Sequence, residues 1–238
     1  MPQVKYKLWA VAVVSGFGAA LIVFLIWPQI DLRTTGLFYV EGTGFPAQSS
    51  AALSMLRHGI WNLSISLALV AIIGSVSYAL LRHDLFGVPG GKWQFIALLY
   101  ILGPGILVNA ILKNYWGRAR PDQIVDFGGS ALFSPAWVMT DQCARNCSFV
   151  SGEGSGAAAL LIGGLVILQA LRDRLNGRVL WATQMFLVTA ALTAAALRVV
   201  LGRHFLSDTV FAALLVALIA LLLWPIVQHG GFSLRRKS

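Results

Sequence analysis

Charge is what this sequence has least of. Only 11% of its 238 residues are Asp, Glu, Lys or Arg, against 58% hydrophobic, and the mean hydropathy is +0.76. Soluble domains carry about 25% charged residues, so an ordinary soluble fold of this length is excluded. Cysteine is almost missing: Cys143 and Cys147, in "CARNC", are the only two. With no histidine nearby they do not make up a zinc ligand set. In an oxidising compartment the pair is expected to close a small disulfide loop. No internal repeat of roughly 20 to 50 residues is present, which excludes solenoids and arrays, and there is neither a low-complexity segment nor a tandem soluble module.

Long apolar runs are abundant instead. Crossing a hydrocarbon core of about 30 Å takes roughly 17 to 25 helical residues. Six runs qualify, near 8–27, 60–81, 94–112, 155–171, 179–201 and 209–227. Unsatisfied backbone groups are costly in lipid, so these runs should be helices. The first follows Lys5 and Lys7 as a signal peptide would, but it is too long for a signal core and leads into "WPQIDLRTT" rather than a small-residue cleavage site. The sequence therefore predicts an all-α membrane protein, one domain over 1–238, with six transmembrane helices.

Basic residues set the orientation, since Lys and Arg are retained on the cytoplasmic side. Lys5 and Lys7, Arg82 and Lys92, Arg172, Arg174 and Arg178, and the tail Arg235, Arg236 and Lys237 all fall on one side of such a topology. Both termini are then cytoplasmic. Anionic headgroups and this bias account for much of the net charge of +9 without any nucleic acid. Lys113, Arg118, Arg120, Arg145, Arg198 and Arg203 lie on the other side. An anionic partner at the outward face would explain them.

Three polar clusters share that face. "KNYWGRARP" (113–121) follows the third run, "CSFVSGEGSG" (147–156) opens the fourth, and "LRVVLGRHFLSD" (197–208) joins the last two. Each has a structural reading: an interfacial anchor, a helix cap at Ser151, and a structural His–Asp pair. Taken together they have a chemical one. Lys113, Arg120 and Arg198 supply cations, and Ser151 and Gly152 open a helix whose free N–H groups favour anions. His204 and Asp208, four apart, share a helix face. An aspartate accepting the Nδ1–H of a histidine leaves Nε2 with the lone pair. Cationic donors around a histidine nucleophile suit phosphoryl transfer without a metal.

At these residues the chain resembles the type 2 phosphatidic acid phosphatase superfamily, whose signature is Lys-x6-Arg-Pro, Pro-Ser-Gly-His and Ser-Arg-x5-His-x3-Asp. Lys113 through Arg120-Pro121 fits the first element; Arg198, His204 and Asp208 fit the third. The resemblance implies that His204 attacks phosphorus to give a phosphohistidine, that Asp208 orients it, and that Lys113, Arg120, Ser151, Gly152 and Arg198 bind the phosphate oxygens. Asn114, Arg118 and Arg203 occupy positions the signature leaves variable. No cofactor is implied.

Two positions depart from the signature. Leu197 replaces the serine of the third element, and "VSGE" replaces Pro-Ser-Gly-His, so Glu153 stands where the family has its general-acid histidine. A carboxylic acid can protonate a leaving alkoxide only if it holds a proton near working pH. A helix N-terminus and neighbouring cations favour its ionised form instead. Three readings follow. Glu153 is a retuned acid; or it is ionised and pairs with Arg118, Arg203 or a substrate amine; or another group supplies the proton, His58 being the one other histidine on that side.

The wording "DQCARNCSFVSGEGSG" is similar to the branch containing bacterial lipid A 4'-phosphatases. This implies a lipid phosphate substrate, a bacterial inner membrane and a periplasmic active site. Phosphatidylglycerophosphate, phosphatidic acid and undecaprenyl diphosphate are the alternatives. The superfamily's vanadate haloperoxidases are soluble, and a transporter would carry its charges near mid-membrane, so both fit this chain less well.

Overall fold

The computed structural model describes residues 3–227. His229 and the basic tail Arg235, Arg236 and Lys237 lie outside the described residues. The elements are α1 (Gln3–Ile26), α2 (Gln29–Gly36), α3 (Ala51–Leu81), α4 (Gly90–Tyr115), α5 (Gly152–Ala170), α6 (Gly177–Val200) and α7 (Leu206–Val227). All but the short α2 are long and apolar enough to span a membrane, matching the six expected. Among the described residues there are isolated bridges but no strand.

The clearest boundary difference is in α3. Its apolar run begins near 60, yet the helix starts at Ala51, where the Ser50 hydroxyl accepts the Leu53 N–H (3.4 Å) as an N-cap. The added turns carry Ser54, Arg57 and His58, whose polarity hides them from a search for apolar runs. In α4, residues Ile101–Leu112 are wound as a π-helix around Pro104. Proline has no N–H and crowds the preceding turn, and a wider turn accommodates both effects.

Helix α5 lies at the centre, packed on α3, α6 and α7. Small residues make this possible. A Cβ on Gly156 would lie 3.1 Å from Trp61 and 3.2 Å from the Ser64 hydroxyl, and one on Gly164 would lie 2.6 Å from Leu187. Ile96, Ala159 and Val216 join α4, α5 and α7 in the core. Leu8, Ile22, Leu25, Ile73, Leu192 and Leu222 point outward, as a lipid-facing surface requires.

The connections segregate by end. At one end the 82–89 and 171–176 turns meet, with Gly87 packed under the Arg174 guanidinium. At the other end the long α4–α5 connection folds over the bundle. Trp116, Trp137 and Phe149 of that connection pack with Phe17 of α1 and Phe211 of α7, Trp116 stacking on Phe149 at 4.7 Å. This aromatic seal carries the segment with the cysteines back across the helix ends. Cys143 and Cys147 are joined in a disulfide, as expected.

Candidate active site

A cavity of about 490 Å³ opens at this second end. Five sequence-distant segments line it: Ser54, Arg57 and Trp61 of α3; Asn109 and Lys113 of α4; Arg120 and Asn146; Gly152 and Glu153 of α5; and Arg198, Arg203 and His204 around the α6–α7 turn. The three polar clusters expected to converge thus do so. Arg145 is exposed and absent from the lining.

The turn is built by glycine. Gly202 adopts φ +59°, the left-handed conformation that ends helices, and a Cβ there would strike the Phe45 ring at 2.4 Å. The N–H groups of Arg203 and His204 both donate to the Arg198 carbonyl (3.0 and 3.1 Å). Arg198 and His204 are therefore tied through the main chain.

His204 is 2% exposed. Its Nδ1 lies 2.8 Å from the Ser148 carbonyl and 3.7 Å from Asp208 Oδ2. The direct His–Asp hydrogen bond expected from the spacing is replaced by an interposed residue, because Asp208 is already occupied. Its Oδ1 accepts from Arg118 Nη1 (2.6 Å), and its Oδ2 accepts from the Ser148 hydroxyl (2.5 Å) and the Phe205 N–H (2.9 Å). A carbonyl can only accept, so Nδ1 carries the proton and Nε2 holds the lone pair. Burial, reinforced by Lys113 and Arg198 and opposed by Asp208, pushes the imidazole down to about 3. His204 is neutral at any working pH.

Behind this pair lies a buried ionic core. Arg118 is fully enclosed; its Nη2 donates to Asp31 (2.7 Å), its Nε to the Ser134 carbonyl (2.8 Å), and its guanidinium lies 4.3 Å from the Phe205 ring centre. Asp31 also accepts from the Ser207 N–H and hydroxyl (2.8 and 2.5 Å). Burial pushes the Asp31 carboxyl above its ordinary range, with Arg118 opposing. Sequence reasoning had no role for Asp31, the lone acid of "WPQIDLRTT".

The phosphate-site candidates are held by three consecutive carbonyls. Asn146 accepts from Arg120 Nη2 (2.8 Å), Cys147 from Lys113 Nζ (3.1 Å), and Ser148 from His204. The disulfide closes the loop that presents them. Ser151 is buried as the N-cap of α5, its hydroxyl accepting from the Gly154 N–H (3.0 Å), and Gly152 rather than Ser151 lines the cavity. A Cβ on Gly152 would come within 3.0 Å of Asn109 Oδ1 and 3.3 Å of Lys113 Cε. Arg198 Nε is buried and has no hydrogen-bond partner among the described residues, leaving a donor free for an incoming oxygen.

Glu153 does not pair with Arg118 or Arg203, the two partners inferred from sequence. Arg118 is consumed by the aspartates and Arg203 by Asp122 (2.6 Å). Arg57 takes Glu153 through Nε (3.0 and 2.9 Å) and Nη2 (2.6 Å), and Arg198 Nη1 lies 3.2 Å away. Sequence reading missed Arg57 although it adjoins His58. His58 itself is exposed, contacts Ser54 (3.3 Å) and does not line the cavity.

The family model described as "PAP2 superfamily" matches residues 94–231. A protein of Rhizobium leguminosarum named lipid A 4'-phosphatase is 33% identical over 219 residues, covering 86% of this chain and 91% of that one. One of the same name from Francisella tularensis subsp. novicida is 31% identical over 199 residues, covering 83% and 86%. The crystal structure of a transmembrane PAP2 type phosphatidylglycerolphosphate phosphatase from Bacillus subtilis aligns at a TM-score of 0.60 and 19% identity, covering 96% of this chain and all of that one.

Proposed function

Because this multi-pass membrane chain belongs to the PAP2 superfamily, we propose that it hydrolyses a lipid phosphate at the cavity of His204, with the 4'-phosphate of lipid A as substrate. The observation that carries the reading is a neutral, buried imidazole whose Nδ1–H is fixed on a carbonyl, set in a cavity lined by Arg57, Lys113, Arg120, Arg198 and Arg203 at the ends of membrane-spanning helices. The lipid A assignment rests on similarity along most of the chain to proteins of that name.

His204 Nε2 attacks phosphorus and displaces the sugar oxygen, giving a phosphohistidine that water hydrolyses. Lys113, Arg120, Arg198 and the N-terminal backbone at Gly152 stabilise the phosphoryl oxygens. Asp208 acts through Ser148, which it and the imidazole share. Glu153, gripped by Arg57 and Arg198, is ionised and organises those arginines rather than donating a proton. The basic turns at the opposite end and the Cys143–Cys147 disulfide support a periplasmic site in a bacterial inner membrane, with both termini cytoplasmic.

A second reading has one observation in its favour. An undecaprenyl diphosphate substrate would expel undecaprenyl phosphate, whose phosphate oxygen departs without a proton from an acid, and the ion-paired Glu153 is compatible with that. Purified protein in detergent with EDTA is expected to release phosphate from lipid A faster than from phosphatidylglycerophosphate, phosphatidic acid or undecaprenyl diphosphate. Preference for the diphosphate would replace the lipid A reading, and strict dependence on added divalent metal would contradict the mechanism.

The low-lying imidazole also sets a pH dependence. With His204 held near 3, its lone pair is available throughout the range where an ordinary histidine would protonate. The acid limb of kcat/KM should then follow the substrate's second phosphate ionisation, about 6, and shift when a substrate of different phosphate acidity is used. A limb fixed near 6.5 for every substrate would mean that His204 titrates normally.

A further inference from the structure

A sugar alkoxide is a poor leaving group, and Glu153 stands where the family has its general-acid histidine. Glu153, the carboxylic acid of the lining, is clamped by two guanidinium groups. His204 is the nucleophile and the other ionisable lining groups are cations. Three of these, Lys113, Arg120 and Arg198, are supplied by the signature segments and suit the three non-bridging phosphoryl oxygens. Arg203 pairs with Asp122 and adjoins His204 on the turn that carries the nucleophile. Arg57, paired with Glu153, is the cation on the α3 wall.

Its setting points to a different task. Ser54, Arg57 and Trp61 are spaced three and four residues apart, so they present one face of α3, and all three line the cavity. Helix α3 packs mainly on α4, α5 and α6, whereas α7, which follows His204, packs mainly on α1, α4 and α5. The α3 wall and the turn that carries the nucleophile are thus separate elements of the cavity. In-line displacement requires attacking and leaving oxygens or nitrogens on opposite sides of phosphorus. Arg57 gives Nε and Nη2 to Glu153, while its Nη1 makes no hydrogen bond among the described residues.

We propose that Arg57 is a catalytic residue that stabilises the departing oxygen as an alkoxide, in place of a general acid, and that Glu153 is the positioning residue that aims it. The proposal rests on the phosphatase reading above. In the first step the His204 Nε2 lone pair forms the N–P bond, and the P–O electron pair passes to the ester oxygen. Arg57 donates a hydrogen bond to that oxygen, and water supplies its proton, leaving hydroxide. In the second step water attacks phosphorus, the P–N electron pair returns to Nε2, and the proton lost by water neutralises the hydroxide. The balance is one ester and one water giving one alcohol and one phosphate.

The test compares leaving groups on the full-length protein in detergent. Arg57→Gln is expected to lower kcat on the lipid phosphomonoester by about 10²- to 10³-fold, the usual loss when one transition-state donor is removed. On p-nitrophenyl phosphate, whose phenolate departs without assistance, the loss should stay below about tenfold, and that retained activity also reports a folded site. Arg57→Lys should recover part of the lipid rate by restoring the charge. Glu153→Gln should reproduce the selective loss in weaker form, with p-nitrophenyl phosphate again spared. Equal losses on both substrates in all three variants, or no loss on either, would overturn the role of Arg57. Wild-type protein that releases phosphate from neither substrate would instead overturn the phosphatase reading itself.

Discussion

His204→Asn should abolish phosphate release, lowering kcat on the order of 10⁴-fold or more, as loss of a nucleophile does elsewhere, while the protein still elutes as a folded species. The amide can donate to the Ser148 carbonyl as Nδ1–H does, so the turn at Gly202 and the buried pair behind it have no reason to rearrange. What disappears is the lone pair on Nε2. The wild type, quenched during turnover of radiolabelled lipid phosphate, should carry protein-bound phosphate that survives alkali and is lost in acid, as a phosphorus–nitrogen bond is. The variant should carry none. Activity within about tenfold of wild type, or label that resists acid, would show that another residue attacks phosphorus.

How the sequence relates to this site depends on the range over which its interactions act. The six spans follow from apolar run lengths, and the third cluster follows from spacing within one turn and the helix it opens. Both are local. The pairing of Arg57 with Glu153 joins residues 96 apart, and that of Arg118 with Asp31 joins residues 87 apart. No periodicity announces such contacts. Arg57 lay in a stretch too polar to count as helix until Ser50 was seen to cap it. The Ser148 carbonyl left still less trace, since every residue has one, and a backbone acceptor carries no side-chain signature. That is why an aspartate four residues from a histidine suggested a direct bond. Arg118 was visible as an outward cation, but its burial between two carboxylates reversed its meaning: it braces Asp208 behind His204 instead of lining the cavity.

That burial makes Arg118→Leu the most damaging change to stability. One guanidinium is enclosed by Asp31 and Asp208 at 2.7 and 2.6 Å, with all three side chains essentially inaccessible. Removing the cation leaves two carboxylates facing each other without compensation, and breaking a buried pair from one side costs about 3–5 kcal/mol. Folded yield in detergent should collapse, and what survives should melt well below wild type. Asp31→Asn should be far milder. Burial already favours the neutral form of that carboxyl, and the amide keeps an acceptor for Arg118 while leaving Arg118 and Asp208 as a one-to-one pair. The sign of the pH effect follows from the same residue. A carboxyl raised above its unfolded value binds its proton more tightly in the folded state, so its ionised form costs stability as pH rises through the folded value, and acidification relieves that cost. The Arg118→Leu deficit should therefore shrink as pH falls toward the Asp31 titration, measured as the difference in melting temperature from wild type. A deficit that stays the same at every pH would mean that Arg118 acts through its packing on Phe205 rather than through its charge.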